Sequence, residues 1–467
     1  MAKGEGSTLR SSGPSPYNQM RKLRPYQKDM KRYLFQNPKG AFLHVEMRLG
    51  KTLVVIRRLA DINRYRKILV IAPITTLQVW TDELLMEKES SSCMIVGKRE
   101  DRLDLLGKYR WSLLNNEGVR VVWPELKEME WDAIVIDESV GIKNPNAKVT
   151  KLLLLLPRKN ERRIAMSGLP NPEGYENFVT QFIWTFGSFM GCDNFWKWRI
   201  RNMRPGAFGY DLKPGVRKKI KEEVRSLAFF LTRKDVGMDS EKVYSPRYLE
   251  MTPYQEKVYR GVEDDFVLKL KGTRPKETKW VLEQRMMLSR VAGGFYEGKE
   301  LSGRKIGEIK SLLNGELRKE SVVIWFRFND QLKATKKALQ AIGIKSKGIS
   351  GTTKATSRAH YVKLFKERRI RVLCVQVKIG KFALNLAQAS TAIYYSTPYS
   401  LNERLQSEDR IVQIGKPGSL LYIDLVTKGT IDEDVALILR EKKFEAKYVN
   451  NRLLELMEKR RLRRKYV

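Results

Sequence analysis

Short, nearly uninterrupted apolar runs recur along the chain, each followed by a longer stretch with helical spacing. Ala41-Phe42-Leu43, Ile68-Leu69-Val70-Ile71-Ala72, Val119-Arg120-Val121-Val122-Trp123, Ala133-Ile134-Val135-Ile136 and Ile164-Ala165-Met166 are of strand length. Apolar at successive rather than alternate positions, they predict strands buried on both faces, as in a parallel sheet. Helical periods fill the gaps. Leu53-Val54-Val55-Ile56 continues from the loop after the first run, and Leu77, Trp80 and Leu84 share a helix face on which the indole reads as core. Ahead of the first strand, Pro25 suits a first helical position, with Tyr26, Met30, Tyr33 and Leu34 on one side.

From about residue 171 to 300 the pattern changes. Aromatic and basic residues interleave in Phe195-Trp196-Lys197-Trp198-Arg199-Ile200-Arg201, and a helical period runs through Val216–Lys221. Such a mixture either stacks on nucleic-acid bases or forms a helical subdomain whose tryptophans are core. A second strand–helix series begins near 301, with strands at Ser321–Phe326, Ile344–Ile349, Val372–Val375, Ala392–Tyr395 and Leu420–Leu425. The whole predicts an α/β protein: two lobes with parallel sheets, a nucleotide cleft between them, and a helical insertion. The expected divisions are a disordered tail over 1–20, a first lobe over 21–240 with the insertion at about 171–230, a helical linker over 241–300, a second lobe over 301–450 and a basic tail over 451–467.

Composition narrows the function classes. No apolar run among the 467 residues approaches the length of a membrane span. Cys93, Cys192 and Cys374 are too few and too scattered for a disulfide framework, which suits a reducing cytoplasm. His44 and His360 are the only histidines, which argues against a zinc cluster. Lys and Arg number 90 against 53 Asp and Glu, a formal charge of +37. An excess of this size favours a nucleic-acid partner over a mere solubility surface, and over a membrane, for which no amphipathic anchor is evident.

The candidate chemistry lies at the ends of two strands. His44-Val45-Glu46-Met47-Arg48-Leu49-Gly50-Lys51-Thr52 follows an apolar run and leads into a helix, the setting of a phosphate-binding loop. Backbone N–H groups there, Gly50 included, would hold phosphate oxygens; Lys51 would add a point charge, and the Thr52 hydroxyl would ligate Mg2+. Val45 stands where the full pattern begins with glycine. The partner motif is Asp137-Glu138 at the end of an apolar strand, a metal-binding acid followed by a general base. Gln27 is placed to read an adenine edge, or is an ordinary surface glutamine. Ser167 and Gly168 either couple the phosphate site to the far lobe or simply turn the chain.

Taken in order, these motifs resemble helicase superfamily two, and within it the Swi/Snf-type ATPase branch, from about Arg24 to Asp434. Ile142-Lys143-Asn144, Phe230–Val236, Thr252-Pro253-Tyr254-Gln255 with Tyr259, and Gly351-Thr352 with Arg358 and Phe365 are similar to branch features. Ser167-Gly168-Leu169-Pro170 resembles the third motif, Leu384-Asn385-Leu386 the fifth, and Gln406–Lys416 the sixth. The resemblance implies two RecA-like lobes with ATP and Mg2+ as cofactors. It assigns Lys51, Glu138 and Arg410 to catalysis, Gln27, Gly50, Thr52, Asp137 and Arg410 to the nucleotide and its metal, and Ser167, Gly168, Gln406 and Gln413 to coupling. Three departures stand out: Leu169 where threonine is usual, Lys381 and Ala383 where glycines are usual, and Gln413 in place of a second arginine. The expected activity is a DNA-dependent ATPase that moves on duplex or branched DNA, remodelling forks or junctions or displacing proteins alongside replication or recombination partners. A strand-separating helicase, an RNA-stimulated ATPase and a nucleic-acid-binding ATP switch are the alternatives. The compact chain resembles viral or bacterial members, for which a cytoplasmic setting is expected.

Overall fold

The computed structural model describes residues 21–440 except 160, 170–173, 207–208, 272–278, 382–383 and 413–418. The expected tails over 1–20 and 451–467, and the positions Pro170, Ala383 and Gln413, lie outside the described residues.

Helix α1 (Pro25–Gln36) opens with its proline at the first helical position and buries Met30 and Leu34. The first sheet comprises β1 (Gly40–Val45), β2 (Ile68–Ala72), β3 (Ser92–Ile95), β4 (Trp111–Asn115), β5 (Ala133–Asp137), β6 (Arg162–Ser167) and β7 (Ala228–Leu231). Its order is β3-β4-β2-β5-β6-β1-β7, with every pairing parallel. Neighbouring residues of one strand serve opposite faces: Phe42, Leu69 and Ile134 join one core, and Ala41, Leu43, Val70 and Val135 the other. A sheet covered on both sides needs apolar residues at successive positions, which is why these runs are uninterrupted. Helices α2 (Lys51–Ala60) and α3 (Ile74–Met86) cover one of these faces, and α4 (Asn177–Phe186) the other.

The second sheet contains β8 (Lys242–Tyr244), β9 (Arg247–Leu249), β10 (Val322–Phe326), β11 (Ser346–Ile349), β12 (Val372–Gln376), β13 (Thr391–Tyr394) and β14 (Leu420–Thr427). It runs β8-β14-β13-β10-β12-β11, with β9 also on β14, and is parallel throughout. Val323 and Trp325 face one core, Val322, Ile324 and Phe326 the other. Helices Pro253–Lys271 and Lys279–Ala292 pack on Ile431–Arg440 through Tyr259, Leu288, Val291, Ile431 and Val435. Among the described residues no helix is long and apolar enough to cross a membrane.

Three local expectations change. Val119–Trp123 is not a strand; it is divided between helices Asn116–Val121 and Trp123–Glu128. The Asn115 side chain accepts from the Gly118 N–H and so starts a helix there, overriding the strand preference of the valines. The strand is instead Trp111–Asn115, just before it. The stretch expected as a helical linker over 241–300 begins with β8 and β9, which extend the second sheet. The insertion expected over 171–230 carries an antiparallel hairpin, Met203–Gly206 with Gly209–Leu212, and ends in β7, an edge strand of the first sheet. Within that insertion Trp198 is core, while Trp196 is exposed beside Arg199, which lies between Trp196 and Tyr210.

Candidate active site

Strands β5, β6 and β1 are neighbours and end at Asp137, Ser167 and Val45. Parallel pairing therefore brings the acidic pair, the Ser167-Gly168 turn and the phosphate loop to one edge. The crevice beyond the carboxyl ends of parallel strands is where α/β sheets hold ligands.

The loop Glu46–Gly50 connects β1 to α2. Gly50 adopts φ 78°, and a Cβ there would lie 2.3 Å from Gln27 Nε2, so both backbone and space call for glycine. It precedes α2 without a side-chain cap, leaving the donors of the helix start for a ligand. Lys51, first in that helix, is buried; its ammonium donates to the carbonyls of Val45 (2.7 Å) and Glu46 (3.3 Å). Burial lowers its pKa, while Glu138 and Asp137 pull it back up. Gln27 is buried as well. Its Oε1 accepts from the Arg24 N–H (3.0 Å) and its Nε2 donates to the Leu49 carbonyl (3.3 Å), tying α1 to the phosphate loop.

Both oxygens of Asp137 are held: Oδ2 by the indole N–H of Trp80 (2.9 Å), Oδ1 by the Glu138 N–H (2.9 Å). Glu138 lies in the left-handed region (φ 50°), a conformation costing a non-glycine residue roughly 1–3 kcal/mol. Its Oε2 accepts from Ser167 Oγ at 3.4 Å. Burial raises the pKa of both carboxyls, and Asp137 raises that of Glu138 further. A site that resists two negative charges suits a cation. Thr52 in the first turn of α2 and Asp137 supply hard oxygen donors of the kind Mg2+ takes alongside phosphate and water. Gly168 packs against the loop, for a Cβ there would lie 3.2 Å from Met47 Cγ and 3.4 Å from Met47 N.

The second lobe enters through α5 (Leu401–Asp409). Gln406 is buried on it, with no partner for its Oε1 among the described residues. Arg410 follows the helix; burial lowers its pKa, and attraction to Glu138, then Asp409, opposes that shift. Arg410 thus feels the Glu138 carboxylate across the cleft. The structure brings Gln27, Gly50, Lys51, Thr52, Asp137, Glu138, Ser167 and Gly168 together at the carboxyl edge of the first sheet and sets the backbone of Arg410 against the phosphate loop, while Gln413 is outside the described residues.

Several contacts here escaped the sequence reading. Trp80, read as core, is both buried and a donor to Asp137. Arg233 donates its backbone N–H to Glu46 (3.0 Å) and its guanidinium to Asp409 (2.8 Å), linking loop to α5. Lys242 and Tyr244 reach Glu408 at 2.8 and 2.9 Å. Arg48, in the phosphate loop, donates to the carbonyls of Arg410 (2.8 Å) and Val412.

Comparison with known proteins matches both halves of the chain. A model of the SNF2-related domain matches residues 26–293, and one of the helicase conserved C-terminal domain matches residues 304–415. The mouse DNA excision repair protein ERCC-6-like 2 is 22% identical, covering 90% of this chain and 34% of its own length. The uncharacterized ATP-dependent helicase MG018 of Mycoplasma genitalium is 23% identical over 91% of this chain and 42% of its own. The chain thus spans between a third and a half of these relatives. The helicase domain of Pyrococcus furiosus Hef has the same two-lobe fold, with a TM-score of 0.52 at 13% identity over 89% of this chain and 98% of that one.

Proposed function

The chain belongs to the SNF2-related family, and from that premise we propose that it is a DNA-dependent ATPase that translocates on DNA, duplex or branched. Fork or junction remodelling, or displacement of bound proteins, is the work this activity would serve. The observation that carries the reading is that Lys51, Asp137 and Glu138 lie at one edge of the first sheet, with Arg410 of the other lobe joined to the phosphate loop through Arg48. Charge adds to it: a chain at +37 suits sequence-tolerant contact with a phosphate backbone.

In this mechanism Gln27 reads the adenine edge, and the N–H groups after Gly50 hold the phosphates with Lys51. Thr52 and Asp137 would hold Mg2+, which when bound would offset phosphate charge. Trp80 fixes Asp137 by its hydrogen bond, and Ser167 orients Glu138. Glu138 accepts the proton of the attacking water as the new P–O bond forms and the bond to the β-phosphate oxygen breaks. Lobe closure brings Arg410 to the charge that develops there. Gly168 against Met47, with Gln406 in α5, would carry changes at the phosphates to the DNA-gripping surfaces.

Steady-state ATP hydrolysis with no nucleic acid, single-stranded DNA, duplex DNA, a four-way junction and RNA tests the reading. Stimulation by duplex or junction DNA is expected. Stimulation by single strands alone would indicate strand separation, and no turnover with any would indicate a nucleotide switch.

A further inference from the structure

Arg48 stands two residues before Gly50 with its backbone in the left-handed region, φ 69°. That conformation strains an arginine and suits glycine, so an arginine here needs a reason in its side chain. The reason lies across the cleft. Nη2 donates to the Arg410 carbonyl at 2.8 Å and Nη1 donates to the Val412 carbonyl. The Arg410 carbonyl also accepts from the Leu386 N–H at 3.0 Å. One guanidinium therefore joins the phosphate loop of the first lobe to the backbone that carries Arg410, and through it to Leu386.

The pairing is with carbonyls, not carboxylates. The nearby acids Glu46 and Asp409 are engaged by Arg233. Burial, then the charge of Arg410, pushes the Arg48 pKa down to about 10, and the charge of Asp409 opposes that shift, so the group stays a cation at neutral pH. A planar guanidinium on two carbonyls two residues apart sets direction as well as distance, which a single ammonium does not.

We propose that Arg48 is a positioning residue for turnover: it holds the backbone of residues 410–412 against the phosphate loop and so sets Arg410 opposite Glu138. The proposal rests on reading the cleft as an ATPase site, and its test separates the two. Arg48→Gly removes the side chain and relieves the backbone; Arg48→Lys keeps a charge without the fork. Labels on exposed Glu128→Cys and Lys337→Cys, in a Cys93→Ser background, report lobe separation by single-molecule energy transfer without nucleotide. Arg48→Gly is expected to widen the distance distribution, with Arg48→Lys in between. At saturating duplex DNA its kcat should fall about tenfold while KM for ATP moves less than threefold, and its thermal melt should not fall below that of the parent. A parental distance distribution with parental kcat overturns the proposal, as does a loss confined to KM. If the parent hydrolyses no ATP while Arg48→Gly still widens the distribution, the ATPase reading fails and the interlobe tie stands.

Discussion

Glu138 combines a strained backbone with a carboxyl that burial keeps from ionising easily, and its assigned role is to take a proton. Glu138→Gln preserves the shape and the acceptor for Ser167 while removing the base. It is expected to bind ATP and DNA as the parent does and to lower kcat by at least about a hundredfold; hydrolysis near the parental rate would place the base elsewhere. His44 makes a prediction of a different kind. Burial, then the charge of Lys51, lowers its pKa from 6.5 to about 4. Between those values the unfolded chain binds a proton that the folded chain refuses. Stability should therefore fall as pH drops from about 6.5 toward 4, by up to about 3 kcal/mol. His44→Phe, which places a third phenyl beside Phe178 and Phe230, should flatten that stretch of the profile in denaturant melts. The placement of Lys51, Thr52, Asp137 and Glu138 at one sheet edge was legible, because they belong to short motifs at the ends of apolar runs. Trp80 and Arg48 were not, since their partners are 57 and 364 residues away and only folding brings them near.

At the scale of elements, the apolar runs of both sheets were readable because burial on two faces leaves a signal no surface helix copies. The error at Val119–Trp123 shows the limit of that signal. β-branched residues suggested a strand, whereas one asparagine cap decided otherwise. Asn115 also accepts from Arg102 (3.1 Å) and donates to Glu117 (2.8 Å), so it closes β4 and opens the next helix with one side chain. Asn115→Ala should cost about 1–2 kcal/mol, seen as a Tm lower by a few degrees in calorimetry; an unchanged Tm would mean the cap is replaceable by water. Strands β8 and β9 escaped prediction for another reason: at three residues each they are too short for a period to appear, and it is their pairing with β14 that defines them.

Over the whole molecule the excess of 90 basic over 53 acidic residues should govern how DNA is held. Affinity for duplex DNA is expected to fall at least about tenfold between 50 and 200 mM salt, by release of condensed counterions. Turnover without DNA should change far less, and equal salt sensitivity of the two would contradict a backbone-gripping role.

Among the described residues the chain passes between the lobes once, and that passage adds a mechanical consequence. It leaves β7 at the edge of one sheet and enters β8 at the edge of the other, so only residues 232–241 are free of both sheets. Fully extended, a segment of that length reaches about 35 Å, and Arg233 within it grips Glu46 on one side and Asp409 on the other. Such a connector is short and tied to both lobes through Arg233, closer to a strap hinge than to a rope. On the proposed mechanism, a change at the phosphate loop would pass to the second lobe through this short connector as well as through the cleft itself.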